Sequence, residues 1–159
     1  MAVCAVLKIP QAQVMAIDAS RAALAVAEQN AAAHGVTERI EFVESDLFAK
    51  VPAAKKFDFI VSNPPYVKTS EMAELDRDVR DFEPHLALEA GPKGTEVVER
   101  LVPQAAERLV PGGQLFIEIS PQIHDAVQEI LKADSRLEPL PTIDDQARRP
   151  RIVRARRRS

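Results

Sequence analysis

The run Phe57-Asp58-Phe59-Ile60-Val61-Ser62 reads as a strand that breaks off at Asn63-Pro64-Pro65-Tyr66. Two consecutive prolines lack the N–H groups that a ladder needs, so the chain must leave any sheet at this point. A rigid elbow carrying an amide and an aromatic ring therefore stands just beyond the end of an apolar strand. The remaining segments narrow the fold around it. Residues 13–18 form a short buried strand ending in an acid, and residues 39–44 alternate as a second strand. Between them, residues 20–34 are Ala-rich, with Ala23, Val26, Ala27 and Asn30 at helical spacing. Ser20 can cap the start of that helix and Gly35 can stop it. Residues 67–93 are polar, punctuated by Pro84 and Pro92, and read as a long functional loop with a short helix. Residues 96–109 are predicted helical. Pro111-Gly112-Gly113 is a turn, 114–120 an apolar strand, 121–133 a helix, and 151–156 an alternating outer strand. Strands alternating with helices predict an α/β fold with a mostly parallel sheet covered on both faces. No repeat or linker divides residues 1–159, which read as a single domain.

Charge and cysteine content exclude several functions. Residues 148–159 carry seven Arg, while the other 147 residues hold 14 basic against 24 acidic groups. An acidic body with a basic tail argues against broad coating of a nucleic-acid backbone. The tail reads as a final strand with Arg on its solvated face, although it could touch a phosphate. Cys4 is the single cysteine, so neither an internal disulfide nor a thiolate metal cluster can form. This fits a reducing cytoplasm. The apolar opening, residues 1–7, is too short to span a membrane and reads as a buried helix end.

In open parallel sheets, ligands bind outside the carboxyl ends of the strands. Three unusual polar positions fall there: Asp18, Asp46 just past the second strand, and Asn63. A carboxylate at Asp18 can accept hydrogen bonds from both ribose hydroxyls of a nucleoside, or it can cap the next helix. Asp46-Leu47-Phe48 can hold an adenine by its amine and by apolar contact, or form a plain turn beside the core. The elbow is the sharpest feature. An amide NH2 is a poor nucleophile because its lone pair is delocalised into the carbonyl. Two acceptors on its two N–H bonds would localise density and aim the lone pair. Asn63 offers a side-chain oxygen and Pro64 a backbone carbonyl. The prolines set both acceptors before substrate arrives, which lowers the ordering cost. Tyr66 offers a flat face to a planar group.

Ser62-Asn63-Pro64-Pro65-Tyr66 resembles the motif of class I methyltransferases acting on exocyclic or amide nitrogen. The run Asp78-Val79-Arg80-Asp81-Phe82-Glu83-Pro84 with Leu86-Ala87-Leu88, and the ending Arg149-Pro150-Arg151-Ile152-Val153, narrow this. They resemble the peptide chain release factor glutamine methyltransferases of the HemK/PrmC type, over nearly the whole chain. The resemblance implies a Rossmann-like sheet with an antiparallel C-terminal strand and S-adenosylmethionine as cofactor. It implies a cytoplasmic enzyme whose partner is a release factor, with no metal. Asn63, Pro64 and Pro65 would grip the glutamine side chain and Tyr66 would pack on it. Asp18 would hold the cofactor ribose, Asp46, Leu47 and Phe48 would line the adenine pocket, and Asn63 would also border the cofactor. The alternatives are a methyltransferase acting on DNA adenine or rRNA guanine, which share the Asn-Pro-Pro-Tyr motif, and a non-catalytic remnant. Gly112-Gly113-Gln114 matches a loop of that family's substrate, but here it leads into an apolar strand.

The family's Gly-rich loop after its first strand, and its small helical domain, have no counterpart in this sequence. The resemblance thus implies a truncated catalytic domain whose 14–18 and 57–62 strands lack a common neighbour. Unpaired buried backbone groups cost about 1–3 kcal/mol each. The isolated chain is expected to be unstable and to bind the cofactor weakly. Calorimetric titration checks this, and micromolar binding by a cooperatively folding chain would refute it.

Overall fold

A computed structural model describes residues 1–82 and 84–159. Glu83, within the Arg80 to Pro84 run, lies outside the described residues. The chain divides into two compact units, Met1–Lys55 and Lys56–Ser159.

In the first unit, helix α1 (Ala2–Lys8) precedes strand β1 (Val14–Asp18), helix α2 (Arg21–Ala33) and strand β2 (Ile40–Glu44). β1 and β2 pair in parallel, from Val14 opposite Ile40 to Asp18 opposite Glu44. Ser20 caps α2 by accepting the Ala23 N–H at 3.2 Å. Gly35 closes the helix at φ +65°, a left-handed conformation that glycine adopts without penalty. The buried face of α2 differs from the expected one. Leu24 and Ala31 are buried, whereas Ala23 and Asn30 are exposed and Val26 is 57% exposed. An Ala-rich helix carries little directional pattern, so its neighbours choose the face. Ala31 packs with Val6, Val36 and Ile40 in one cluster. Burying a Val or Ile there contributes about 1.5–3 kcal/mol. The opening is helical from Ala2 to Lys8, but only Val6 is buried, and Met1 and Leu7 are exposed.

The second unit opens with β3 (Phe57–Ser62), then β4 (Val67–Lys68), α3 (Arg77–Phe82), α4 (His85–Leu88) and β5 (Glu89–Gly91). It continues through α5 (Glu96–Arg108), β6 (Leu109–Glu118), α6 (His124–Ala133), β7 (Leu137–Asp144) and β8 (Pro150–Arg157). Four strands lie in the order β3-β6-β8-β7, with β3 and β6 parallel and the other two pairings antiparallel. The C-terminal strand is antiparallel, as the resemblance implies. It is not outermost, however, because β7 lies beyond it. β7 escapes a periodicity reading because Pro139 and Pro141 interrupt its pattern, and an edge strand is where prolines are tolerated. Leu115, Ile117, Val153 and Ala155 of the sheet are fully buried, with Val98 of α5 and with Val127 and Leu131 of α6. The expected turn at Pro111-Gly112-Gly113 is an irregularity inside β6. Phe57 faces Leu109 and Phe59 faces Gln114, so the residues between bulge out, with Gly112 at φ +81°. The region read as one long loop contains β4, β5 and short helices.

Among the described residues β1 has only β2 as a ladder partner, and β3 only β6. Each therefore presents one open edge, and on β3 the side chains of Phe59 and Val61 are 61% and 59% exposed. The same residues contain no helix long and apolar enough to cross a membrane.

The arginine tail is tied to its own chain. Arg154 donates to the Pro141 carbonyl at 2.9 Å, Arg158 to Leu137 at 3.1 Å and Arg157 to Arg136 at 3.2 Å. Arg136 in turn holds Asp134, Nη2 to Oδ2, at 2.6 Å. That hydrogen bond, against the opposing effect of burial, keeps the Asp134 carboxyl below the ordinary carboxylate range. A carboxyl lowered in the folded state stabilises fully above its unfolded value, and the contribution is lost as pH falls through the folded value. Asp134→Asn is therefore expected to lower the urea midpoint at neutral pH. As pH falls from about 4 through the lowered folded value, the variant and the parent should converge progressively as the parent carboxyl is protonated.

Candidate active site

Asp18 is the last residue of β1 and is exposed. Its Oδ1 accepts the Ser20 N–H at 2.8 Å, so part of its role is to shape the entry to α2. Oδ2 has no hydrogen bond among the described residues and remains able to accept from a hydroxyl. The Asp18 backbone carbonyl accepts the Ser45 N–H at 2.9 Å, which draws the turn after β2 against the end of β1. In that turn Ser45 is buried and its Oγ accepts the Lys50 N–H at 2.9 Å. Leu47 sits at φ +47°, a left-handed conformation costing a non-glycine residue about 1–2 kcal/mol. The neighbouring burial of Phe48 and the Ser45 hydrogen bond hold it there. Asp46 is exposed on the same turn and Leu47 half-buried. The carboxyl end of this parallel pair thus combines an open carboxylate oxygen with an apolar ledge. That set suits the two halves of a nucleoside, the sugar hydroxyls and the flat base.

In the second unit, the elbow begins directly after β3. Asn63 is exposed and its side chain makes no hydrogen bond among the described residues. Pro64 is buried, Pro65 and Tyr66 half-buried. The elbow is thus anchored at Pro64 and leaves the Asn63 amide available. Beyond it, β4 pairs in parallel with β5, Val67 opposite Glu89 and Lys68 opposite Gly91. The turn after β5 then packs on the elbow. A Cβ on Gly94 would lie 2.8 Å from the Tyr66 carbonyl oxygen, and Gly94 stands at φ +79°.

The structure thus joins Asp18 to the 45–48 turn within the first unit, and residues 63–66 to the 91–96 turn within the second. Ser45 and the Gly91/Gly94 pair escaped the sequence reading. The glycines of Gly91-Pro92-Lys93-Gly94-Thr95 were the available signal for the latter. An open groove of about 410 Å³ between α5 and α6, lined by Val102, Pro103, Ile130 and Asp134 among others, touches none of the expected site residues.

Residues 1–78 match the family model described as the methyltransferase small domain. The chain is 40% identical over 148 residues to a release factor glutamine methyltransferase of Koribacter versatilis, covering 93% of this chain and 51% of that protein. It is 44% identical over 149 residues to one of Cereibacter sphaeroides, covering 92% and 52% respectively. The structure superposes on TrmN from Thermus thermophilus with TM-score 0.69 at 17% identity, covering 98% of this chain and 40% of that one. It superposes equally on a methyltransferase from Pyrococcus furiosus, with TM-score 0.69 at 16% identity, covering 100% and 69%. Those similarities establish a Rossmann-like methyltransferase fold. The chain spans about half the length of the curated relatives it matches. Over more than nine-tenths of its own length it is similar, at about 40% identity, to the release factor glutamine methyltransferases.

Proposed function

We propose that this chain supplies catalytic machinery for transferring a methyl group from S-adenosylmethionine to the side-chain amide nitrogen of a glutamine in a release factor, in the cytoplasm. The observation that carries this reading is the proline-braced elbow at the end of β3, where the Asn63 amide makes no hydrogen bond among the described residues and Pro64 is buried beside it. The names of the relatives support the same acceptor. The cofactor would supply an electrophilic methyl on a sulfonium. The carboxylate acceptors Asp18 and Asp46, with half-buried Leu47, fit the ribose and adenine of that cofactor, while Phe48 itself is buried and supports the turn from within. Asn63 Oδ1 and the Pro64 carbonyl would accept the two N–H groups of the glutamine amide, and Tyr66 would support its plane. Positioning of this kind is worth up to roughly 7–11 kcal/mol when geometry is ideal. Transfer would exchange the S–CH3 bond of the sulfonium for a C–N bond, leaving a neutral thioether, and the amide nitrogen would lose one N–H proton to solvent water. The commitment of Arg154, Arg157 and Arg158 to backbone carbonyls disfavours a nucleic-acid acceptor.

Incubation with methyl-labelled S-adenosylmethionine and a release factor tests the reading. Peptide mass spectrometry is expected to find the label on one glutamine amide. Label on nucleic acid instead, or no transfer to glutamine by the chain joined to the remaining half of the Cereibacter sphaeroides relative, would overturn it.

A further inference from the structure

β4 and β5 are two and three residues long and, among the described residues, pair only with each other. A two-stranded ladder that short is not stable by itself in water. Yet it carries the chain away from the elbow and sets the direction in which Tyr66 leaves it. Something outside the ladder must hold it. The turn after β5 contains a carboxylate folded into its own backbone. Glu96, the first residue of α5, turns back so that Oε1 accepts the Lys93 N–H at 2.8 Å. Its Oε2 is shut off from water with no hydrogen bond among the described residues. Burial pushes this carboxyl up, but the backbone N–H groups of Lys93, Glu96, Thr95 and Gly94 outweigh it and hold it below the ordinary range. The carboxylate lies flat on Gly91, where a Cβ would meet Glu96 Cδ at 2.7 Å. Gly91 is the residue of β5 opposite Lys68. On the other side of the turn, Gly94 presses on the Tyr66 carbonyl.

We infer that Glu96 is a positioning residue for the Asn63 to Tyr66 elbow, acting through the Gly91 to Thr95 turn that its carboxylate closes. The functional part of this inference rests on the proposed role of that elbow. A successive run of backbone N–H groups is a natural cradle for an anion, and here the chain supplies its own. Glutamine can keep one oxygen on the Lys93 N–H, but it loses the negative charge that the cradle holds and turns an NH2 toward the backbone N–H groups of Gly94, Thr95 and Glu96.

Hydrogen exchange on the chain, read amide by amide, tests the clamp without requiring activity. In Glu96→Gln the Lys93 amide and the amides bonded across the β4 and β5 ladder are expected to exchange about tenfold faster or more, the amount by which weakening a hydrogen bond to a charged group shifts an equilibrium. Amides of Leu115, Ile117 and Val153 in the four-stranded sheet should be unchanged and report that the variant is folded. Glu96→Asp keeps the charge one methylene short and should recover part of the protection. If Glu96→Gln fails to fold, Gly94→Ala, which pushes the turn off Tyr66 from the opposite side, should show the same local pattern. Unchanged exchange across the β4 and β5 ladder in a folded variant overturns the inference. In the transfer assay, Glu96→Gln should raise KM for the glutamine substrate about tenfold, with KM for S-adenosylmethionine within about twofold. A fall in kcat alone, with both KM values kept, would indicate a smaller active fraction and overturn the positioning role. Absence of transfer by the parent protein refutes the functional reading, while the exchange pattern still decides the clamp.

Discussion

Asn63→Ala is expected to reduce methyl transfer to glutamine by about a hundredfold to a thousandfold, the range seen when one preorganised polar group is removed from a reacting centre. The affinity for S-adenosylmethionine should change far less. The substitution deletes the side-chain oxygen proposed to take one amide N–H of the acceptor. Asn63 is exposed and makes no hydrogen bond among the described residues, so its loss leaves no buried group unsatisfied. Folding should be unaffected, and a thermal midpoint close to that of the parent is the control. The measurement is steady-state transfer together with calorimetric cofactor binding, in the chain joined to the remaining half of the Cereibacter sphaeroides relative. Unchanged turnover would remove Asn63 from the mechanism.

Asp18→Asn separates the two uses of that carboxylate. The asparagine side-chain oxygen can still accept the Ser20 N–H that Oδ1 now takes at 2.8 Å, so the entry to α2 should persist. The second position becomes an NH2 and presents donors where a ribose hydroxyl needs an acceptor. Affinity for S-adenosylmethionine is expected to fall about ten- to a hundredfold, as for a lost hydrogen bond to a charged group. With cofactor saturating, kcat should be nearly kept, because Asp18 is proposed to touch the sugar and not the methyl. Circular dichroism should report unchanged helix content. If affinity instead holds in Asp18→Asn and falls only in Asp18→Ala, the carboxylate is a helix-entry device and the ribose role is wrong.

The two predictions draw on different levels of legibility. Asn63 could be read directly because its neighbours announce themselves: two prolines after an apolar run allow few conformations, and the structure places the elbow at the expected strand end. Asp18 was legible only by position. One oxygen takes the Ser20 N–H, and the ribose role proposed for the other rests on its place at the end of β1. Ser45 was not legible, because a buried serine in a turn looks like a surface one until the Lys50 N–H is seen to need its oxygen. Glu96 was hidden for a similar reason. A glutamate at the start of a helix is expected to face water and favour the helix dipole. Its inward fold depends on two glycines, at positions 91 and 94, leaving room on either side of the turn.

Local sequence determined the order and kind of the elements. Apolar runs between polar breaks made β1, β2, β3 and β6; Ser20 and Gly35 bounded α2; the prolines made the elbow. Each of these rests on forces acting within a few residues, hydrophobic periodicity or restricted backbone torsions. Tertiary structure alone decided which face of the Ala-rich α2 is buried, that β8 lies inside β7, and that the β4 and β5 ladder is held by a carboxylate across a turn. Those outcomes turn on packing partners distant in sequence. An Ala-rich helix, a proline-broken strand and a two-residue ladder carry too little local preference to choose for themselves.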